Sequence, residues 1–183
     1  ETLDLCLSCK ACKSECPSNV DMAKLKSEVL QKKYDEGNIS FREKAISANV
    51  NMVPKLAGWK APFVNFVQGT YIFKFAAEKL LKVDRRRTLP SYASESLESW
   101  YKSNYKPNES KNKVVLFADT YINYHEPQVG KAAIKLLQDC GFEVLLASVG
   151  CCQRPRISNG FLNEAKKDGT RSEEHTSELQ SPC

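Results

Sequence analysis

The chain has 183 residues, which suits one domain or two small ones, and 42% of them are hydrophobic, enough for a packed core. Its formal charge of +5 comes from 27 Lys and Arg against 22 Asp and Glu, and the one basic run, Arg85-Arg86-Arg87, is too little for a nucleic-acid footprint. No run of 18 apolar residues occurs, so no transmembrane helix is expected.

At the start of the chain, Glu1 leads straight through Asp4 into a cluster of cysteines. There is no basic n-region and no apolar h-region, so no signal peptide is expected. The missing start Met suggests a fragment. Of the eight cysteines, four fall within eleven residues (Cys6, Cys9, Cys12, Cys16), Cys151 and Cys152 are adjacent, and Cys140 and Cys183 stand alone. With no secretory signal, this spacing reads as metal or redox chemistry in a reducing, cytoplasmic compartment rather than as a disulfide framework.

After this cysteine-rich loop, Asp21 is a candidate N-cap for a helix with Met22, Leu25, Val29 and Leu30 at helical spacing. Gly37-Asn38 should end it. Ser40 with Glu43 makes a capping box for a second helix carrying Ala45, Ile46 and Val50, and Pro54 marks a break. Residues 59–83 hold Trp59, Phe63, Phe66, Tyr71, Phe73 and Phe75 and continue as a helix with lysines interspersed. The expectation is a helix pair packed as core under the rest of the protein. The alternative is a surface for a partner or a quinone-bearing membrane. Residues 84–112 read as a polar linker with a short helix around Leu97–Tyr101.

The composition then changes. Lys113–Asp119 reads as a buried strand, residues 120–126 as a loop, and Pro127 as the first turn of a helix. Val129, Ala133, Leu136, Leu137 and Cys140 share one predicted face, and Gly141 is the expected residue after the helix end. Phe142–Ala147 is a second strand. Strand, helix and strand of this length predict a parallel βαβ unit with a right-handed crossover. Gly150-Cys151-Cys152 lies just past the second strand, at the sheet edge where open α/β sheets bind ligands. A last helix is expected at about Phe161–Lys167.

The motif Cys6-x2-Cys9-x2-Cys12-x3-Cys16-Pro17 carries the chemistry. Such a run in bacterial ferredoxins holds cubane iron–sulfur clusters. Two-residue spacers let one loop curl around a small cube and aim backbone N–H groups at its sulfides. Lys10 and Lys13 flank the ligands and would favour thiolates. Zinc is the weaker alternative, because structural zinc sites usually pair one Cys-x2-Cys with a distant second pair. In two-cluster ferredoxins the cysteine before proline ligates the other cluster, so the fourth ligand beside Cys6, Cys9 and Cys12 is Cys16 or another cysteine.

Cys6–Ser18, Val114–Thr120 and Cys151-Cys152-Gln153-Arg154-Pro155 together resemble the C-terminal iron–sulfur portion of FAD-linked 2-hydroxyacid oxidoreductases, over most of residues 1–169. D-lactate and D-2-hydroxyglutarate dehydrogenases, glycolate oxidase and anaerobic glycerol-3-phosphate dehydrogenase iron–sulfur subunits are members. The resemblance implies an α+β chain: a helical 4Fe-4S ferredoxin-like domain (1–83), a linker (84–112) and an incomplete α/β, parallel βαβ cysteine-rich domain (113–169). It implies a 4Fe-4S cluster on Cys6, Cys9, Cys12 and Cys16, a second redox site at Cys151 and Cys152, and FAD in an upstream domain of the same parent chain or in another subunit. Electrons would pass to a quinone or another acceptor, with the chain cytoplasmic or at the inner face of the membrane. Gln153 stands where the family's Cys-Cys-Gly repeat has Gly. The alternative is a stand-alone iron–sulfur subunit of a heterodisulfide reductase-like complex. No Gly-x-Gly-x-x-Gly fingerprint and no catalytic base can be assigned. His125 and Glu126 read as a surface loop, with gating or substrate contact as the sharper option. Residues 170–183 are set aside as a non-native tail, since Arg171–Cys183 resembles a translated sequencing-library adapter.

Overall fold

The computed structural model describes residues 2–9, 11–107, 112–147 and 150–170. Apart from residue 170, the expected tail, with His175 and Cys183, lies outside the described residues, as does Lys10. The fold is the expected one: a helical N-terminal segment followed by an incomplete parallel βαβ unit. In chain order the elements are α1 (Ala11–Glu15), α2 (Met22–Asp35), α3 (Phe41–Leu56), α4 (Ala61–Gly69), α5 (Tyr71–Leu81), α6 (Leu97–Asn104), β1 (Lys113–Phe117), α7 (Thr120–Tyr124), α8 (Pro127–Asp139), β2 (Glu143–Ala147) and α9 (Arg154–Ser158). Residues 162–170 are also helical.

Helix starts follow the side chains that satisfy their free N–H groups. The Asp21 carboxylate accepts from Lys24 N–H at 2.9 Å and caps α2. Ser40 and Glu43 form the reciprocal capping box on α3, with Glu43 accepting from Ser40 N–H at 2.7 Å. Past α2, Gly37 takes the left-handed conformation at φ +85° that turns the chain. Pro54 does not break α3, which runs to Leu56. So close to the helix end its missing N–H costs only one backbone hydrogen bond. Residues 120–124 are helical, not loop, because the Asp119 side chain accepts from the N–H groups of Tyr121 and Ile122, both at 3.0 Å.

The α/β core gathers Leu97, Ala118, Ile134 and Val144, all buried, under Trp100, Tyr101, Tyr105 and Leu137. Leu97 comes from α6, within the segment expected as a linker. The strands pair in parallel, Lys113 opposite Glu143 through Phe117 opposite Ala147. On the far side of β2, Tyr105 Oη accepts from Val144 N–H at 2.9 Å and Tyr101 Oη donates to Val144 C=O at 2.7 Å. These two hydroxyls occupy backbone groups that would otherwise template another strand.

Two expected faces are turned. On α8 the buried stripe is Pro127, Gly130 and Ile134, while Val129, Leu136 and Cys140 are exposed. Gly130 sets this rotation: a Cβ there would lie 2.2 Å from Leu97 Cδ2, so the close approach to α6 needs a residue without a side chain. Along 59–81 the expected core aromatics face outward. Trp59, Phe63, Phe66, Tyr71 and Phe75 are exposed, and Ile72 with them. Of these two short helices α4 buries only Ala61, α5 has no buried residue, and among the described residues no further layer covers the large side chains.

Candidate functional site

The N-terminal cysteines sit on a short loop built by local hydrogen bonds. Thr2–Leu5 forms a single 3-10 turn, and Cys6 N–H donates to Leu3 C=O at 3.1 Å. Ser8, between Cys6 and Cys9, takes φ +56°, a left-handed turn within the two-residue spacer. Cys12 rides on α1, Cys16 N–H closes that helix on Cys12 C=O at 2.9 Å, and Asn19 (φ +54°) turns the chain into α2. Lys26 Nζ reaches back from α2 to donate to Cys6 C=O at 2.7 Å.

Backbone N–H groups point at the sulfurs. Met22 N–H donates to Cys12 Sγ at 3.4 Å. The backbone N–H groups of Val20 and Ser18, and to a lesser degree Asn19, favour the Cys16 thiolate and pull its pKa down, against the opposite pull of desolvation. All four thiols are free; Cys9 is exposed and the other three are half-buried. Among the described residues, no three His, Cys, Asp or Glu side chains stand close enough together to hold a metal ion. The donor set fits an iron–sulfur group by its chemistry: four unpaired thiols on eleven residues, with N–H groups already directed at two sulfurs.

The second constellation is tied to the first by packing. Cys151 is half-buried and Cys152 exposed. Gln153 takes φ +58°, a conformation that suits glycine, which accounts physically for a glycine at this place in a Cys-Cys-Gly repeat. Here Gln153 holds the turn with its side chain, donating to Cys151 C=O at 3.2 Å and accepting from Arg156 at 2.9 Å. Arg156 is buried and also bonds the Asp168 carboxylate. Beyond it, α9 and its continuation dock on α2. Ser27 Oγ donates to Ile157 C=O at 2.7 Å, Tyr34 Oη donates to Asn159 C=O at 3.0 Å, and the Tyr34 ring stacks on Phe161 at 4.8 Å. Burial, then the nearby Glu43 charge, pushes the Tyr34 phenol up to about 12, so it stays a donor at neutral pH. A cleft of about 420 Å³ lies along this seam, reached by Ser8 of the cysteine loop and by Ile157 and Leu162.

Gly160 sets the distance of the seam. A Cβ there would lie 2.3 Å from Leu30 Cβ, and its φ is +83°. Gly160→Ala is therefore expected to destabilise the chain by about 2 kcal/mol, from overpacking and backbone strain together. Urea unfolding measures this, and faster proteolysis near residues 150–153 should accompany it.

His125 is not aimed at either cysteine group. Its Nδ1 lies 2.8 Å from Ser91 C=O and its ring packs 4.9 Å from Tyr92, so it pins the 84–96 segment to α7. The buried Gln153–Arg156–Asp168 network and the docking of α9 on α2 had no local signal in the sequence, because each joins residues through distant contacts.

No protein-family model matches the chain, and no solved structure matches it. Among curated proteins it is similar to a subunit of the anaerobic glycerol-3-phosphate dehydrogenase of Escherichia coli K12, 34% identical over 137 residues, 74% of this chain and 34% of the relative. It is also similar to D-2-hydroxyglutarate dehydrogenase of the same organism, 23% identical over 184 residues, 94% of this chain and 18% of the relative. The Haemophilus influenzae D-2-hydroxyglutarate dehydrogenase matches at 23% over 174 residues, 90% of this chain and 17% of that protein. The chain thus spans about a third of the length of the first of these and less than a fifth of the others.

Proposed function

We infer from these similarities that the chain belongs to the broad family of iron–sulfur subunits and FAD-linked 2-hydroxyacid dehydrogenases, and we propose that its part is electron transfer through a 4Fe-4S cluster on Cys6, Cys9, Cys12 and Cys16. When bound, such a cluster takes up and releases one electron at a time. The chain's own residues supply the thiolates and the N–H groups of Met22, Val20 and Ser18 that stabilise negative charge on sulfur. Lys26 fixes the loop to α2. The observation that carries this reading is the set of four free thiols at Cys-x2-Cys-x2-Cys-x3-Cys-Pro spacing with N–H groups directed at Cys12 and Cys16.

In this reading a 2-hydroxy acid gives its electrons to FAD in another domain or subunit, and a quinone or other carrier receives them after the cluster. The domain division follows the same reading: a cluster unit at 1–83, a connecting segment at 84–112 and a cysteine-rich unit at 113–169, with Cys151 and Cys152 as a second redox position. That the first relative is itself one subunit of a dehydrogenase favours a separate flavin partner over a fused one. No helix among the described residues is long and apolar enough to cross a membrane, and a cytoplasmic position at the inner membrane face is part of the proposal.

Anaerobic reconstitution of the whole chain with iron and sulfide tests it. The expected result is about four irons per chain and a reduced-state EPR signal of the cubane type. A colourless protein that takes up zinc stoichiometrically instead overturns it.

A further inference from the structure

The two edges of the sheet are unequal. On β2 the outward N–H and C=O of Val144 are taken by Tyr105 and Tyr101. On β1 nothing plays that part. Ala118 N–H donates to Ala147 C=O, and Asn112 C=O accepts from Glu143 N–H, so the even-numbered residues here face β2. Strand alternation then turns the N–H and C=O groups of Lys113, Val115 and Phe117 to the outer edge. Among the described residues no hydrogen bond reaches those groups. The side chains of the same three residues share one face, with Val115 41% and Phe117 40% exposed. Proline, a bulge or a central charge commonly guards a free edge. This strand has an unbroken register and its only charge at its first residue, Lys113.

We propose that β1 pairs with β1 of a second copy of the chain, antiparallel about a two-fold axis at Val115, so that the two small sheets join into one of four strands. In that register the outward groups exchange about six main-chain hydrogen bonds. Val115 meets the partner's Val115. Lys113 lies across from the partner's Phe117, with its stem against the ring and its ammonium over it.

Charge selects this pairing. One step along the diagonal from Lys113 is the partner's Asp119. Asp119 spends Oδ1 on both capping N–H groups of α7, and its Oδ2 has no partner among the described residues. Lys113 is 61% exposed and has only a 3.8 Å contact with Glu143 in its own chain. The antiparallel register therefore brings an uncommitted carboxylate oxygen to a loosely held ammonium, twice. A parallel register would set Lys113 beside Lys113 and Asp119 beside Asp119, like against like. The antiparallel pair is also isologous and closes on itself, so it stops at two copies. It places the two Cys151–Cys152 pairs at opposite ends of the joined sheet, each open to its own redox partner.

Sedimentation equilibrium of the full chain over a wide concentration range tests the proposal. The expected result is a monomer–dimer equilibrium, with protection of the Lys113, Val115 and Phe117 amides from hydrogen exchange that grows with concentration. Val115→Pro deletes an outward N–H and leaves the β1–β2 ladder intact, so it should abolish the dimer with an unchanged circular dichroism spectrum. Phe117→Lys sets a second ammonium opposite Lys113 and should weaken the dimer by about tenfold or more, whereas Phe117→Glu, facing the same lysine, should retain it. If Val115→Pro fails to fold, the two Phe117 variants decide the matter. A monomer at every concentration overturns the proposal and reserves the edge for a strand of another protein. A dimer untouched by a folded Val115→Pro, or lost equally in both Phe117 variants, overturns it as well. The measurement needs no iron, so its failure leaves the cluster reading standing, and a failed reconstitution leaves this one standing.

Discussion

Cys9→Ala is expected to reduce iron bound after anaerobic reconstitution from about four per chain to a small residue, and to abolish the cubane EPR signal. Cys9 is the informative ligand because its thiol is exposed and little else holds it. It follows the left-handed turn at Ser8, and substituting it disturbs no buried contact. Loss of iron in this variant therefore reports on ligation and not on folding, which circular dichroism should find unchanged. Cys16→Ala is the paired measurement. An equal loss puts Cys16 on the same cluster as Cys6, Cys9 and Cys12, and near-full iron retention removes it from that set. Full iron in Cys9→Ala itself would overturn the ligand assignment.

The features read correctly from the sequence are those settled within a few residues. Asp21, the Ser40–Glu43 box, Gly37, Pro127 and Gly141 each act on neighbouring backbone, so residue type at a given spacing is enough to place them. The parallel βαβ unit was legible for a related reason: two apolar runs bracketing an amphipathic one leave few chain paths. Burial faces were harder. On α8 the larger residues Val129 and Leu136 suggested the packed side, but the contact with α6 is made where Gly130 lets Leu97 in. Along α4 and α5, aromatic content suggested a core, but a ring is buried only if another layer covers it. The four cysteines were legible as a donor set. That no three of these side chains come close together among the described residues was not, because spacing gives the reach of a loop and not where its side chains point.

Asp168→Asn is expected to cost about 3 kcal/mol of stability. Arg156 is only 4% exposed, and its guanidinium meets two partners, the neutral amide oxygen of Gln153 and the charged carboxylate of Asp168. Its Nε is buried without a hydrogen-bond partner among the described residues. Removing the carboxylate charge leaves a buried cation facing only neutral acceptors, and the low-dielectric surroundings make that costly. Replacing both residues, Arg156→Met with Asp168→Leu, should recover most of the loss, because no charge is then left unpaired. Urea unfolding of the two variants measures the difference. The network also braces the turn after Cys151 and Cys152, since Arg156 holds Gln153 and Gln153 holds Cys151 C=O. The single variant should therefore raise the alkylation rate of Cys151 toward that of the exposed Cys152. A single variant as stable as the parent, with Cys151 still slow, would mean that water satisfies Arg156 and that the brace carries no load.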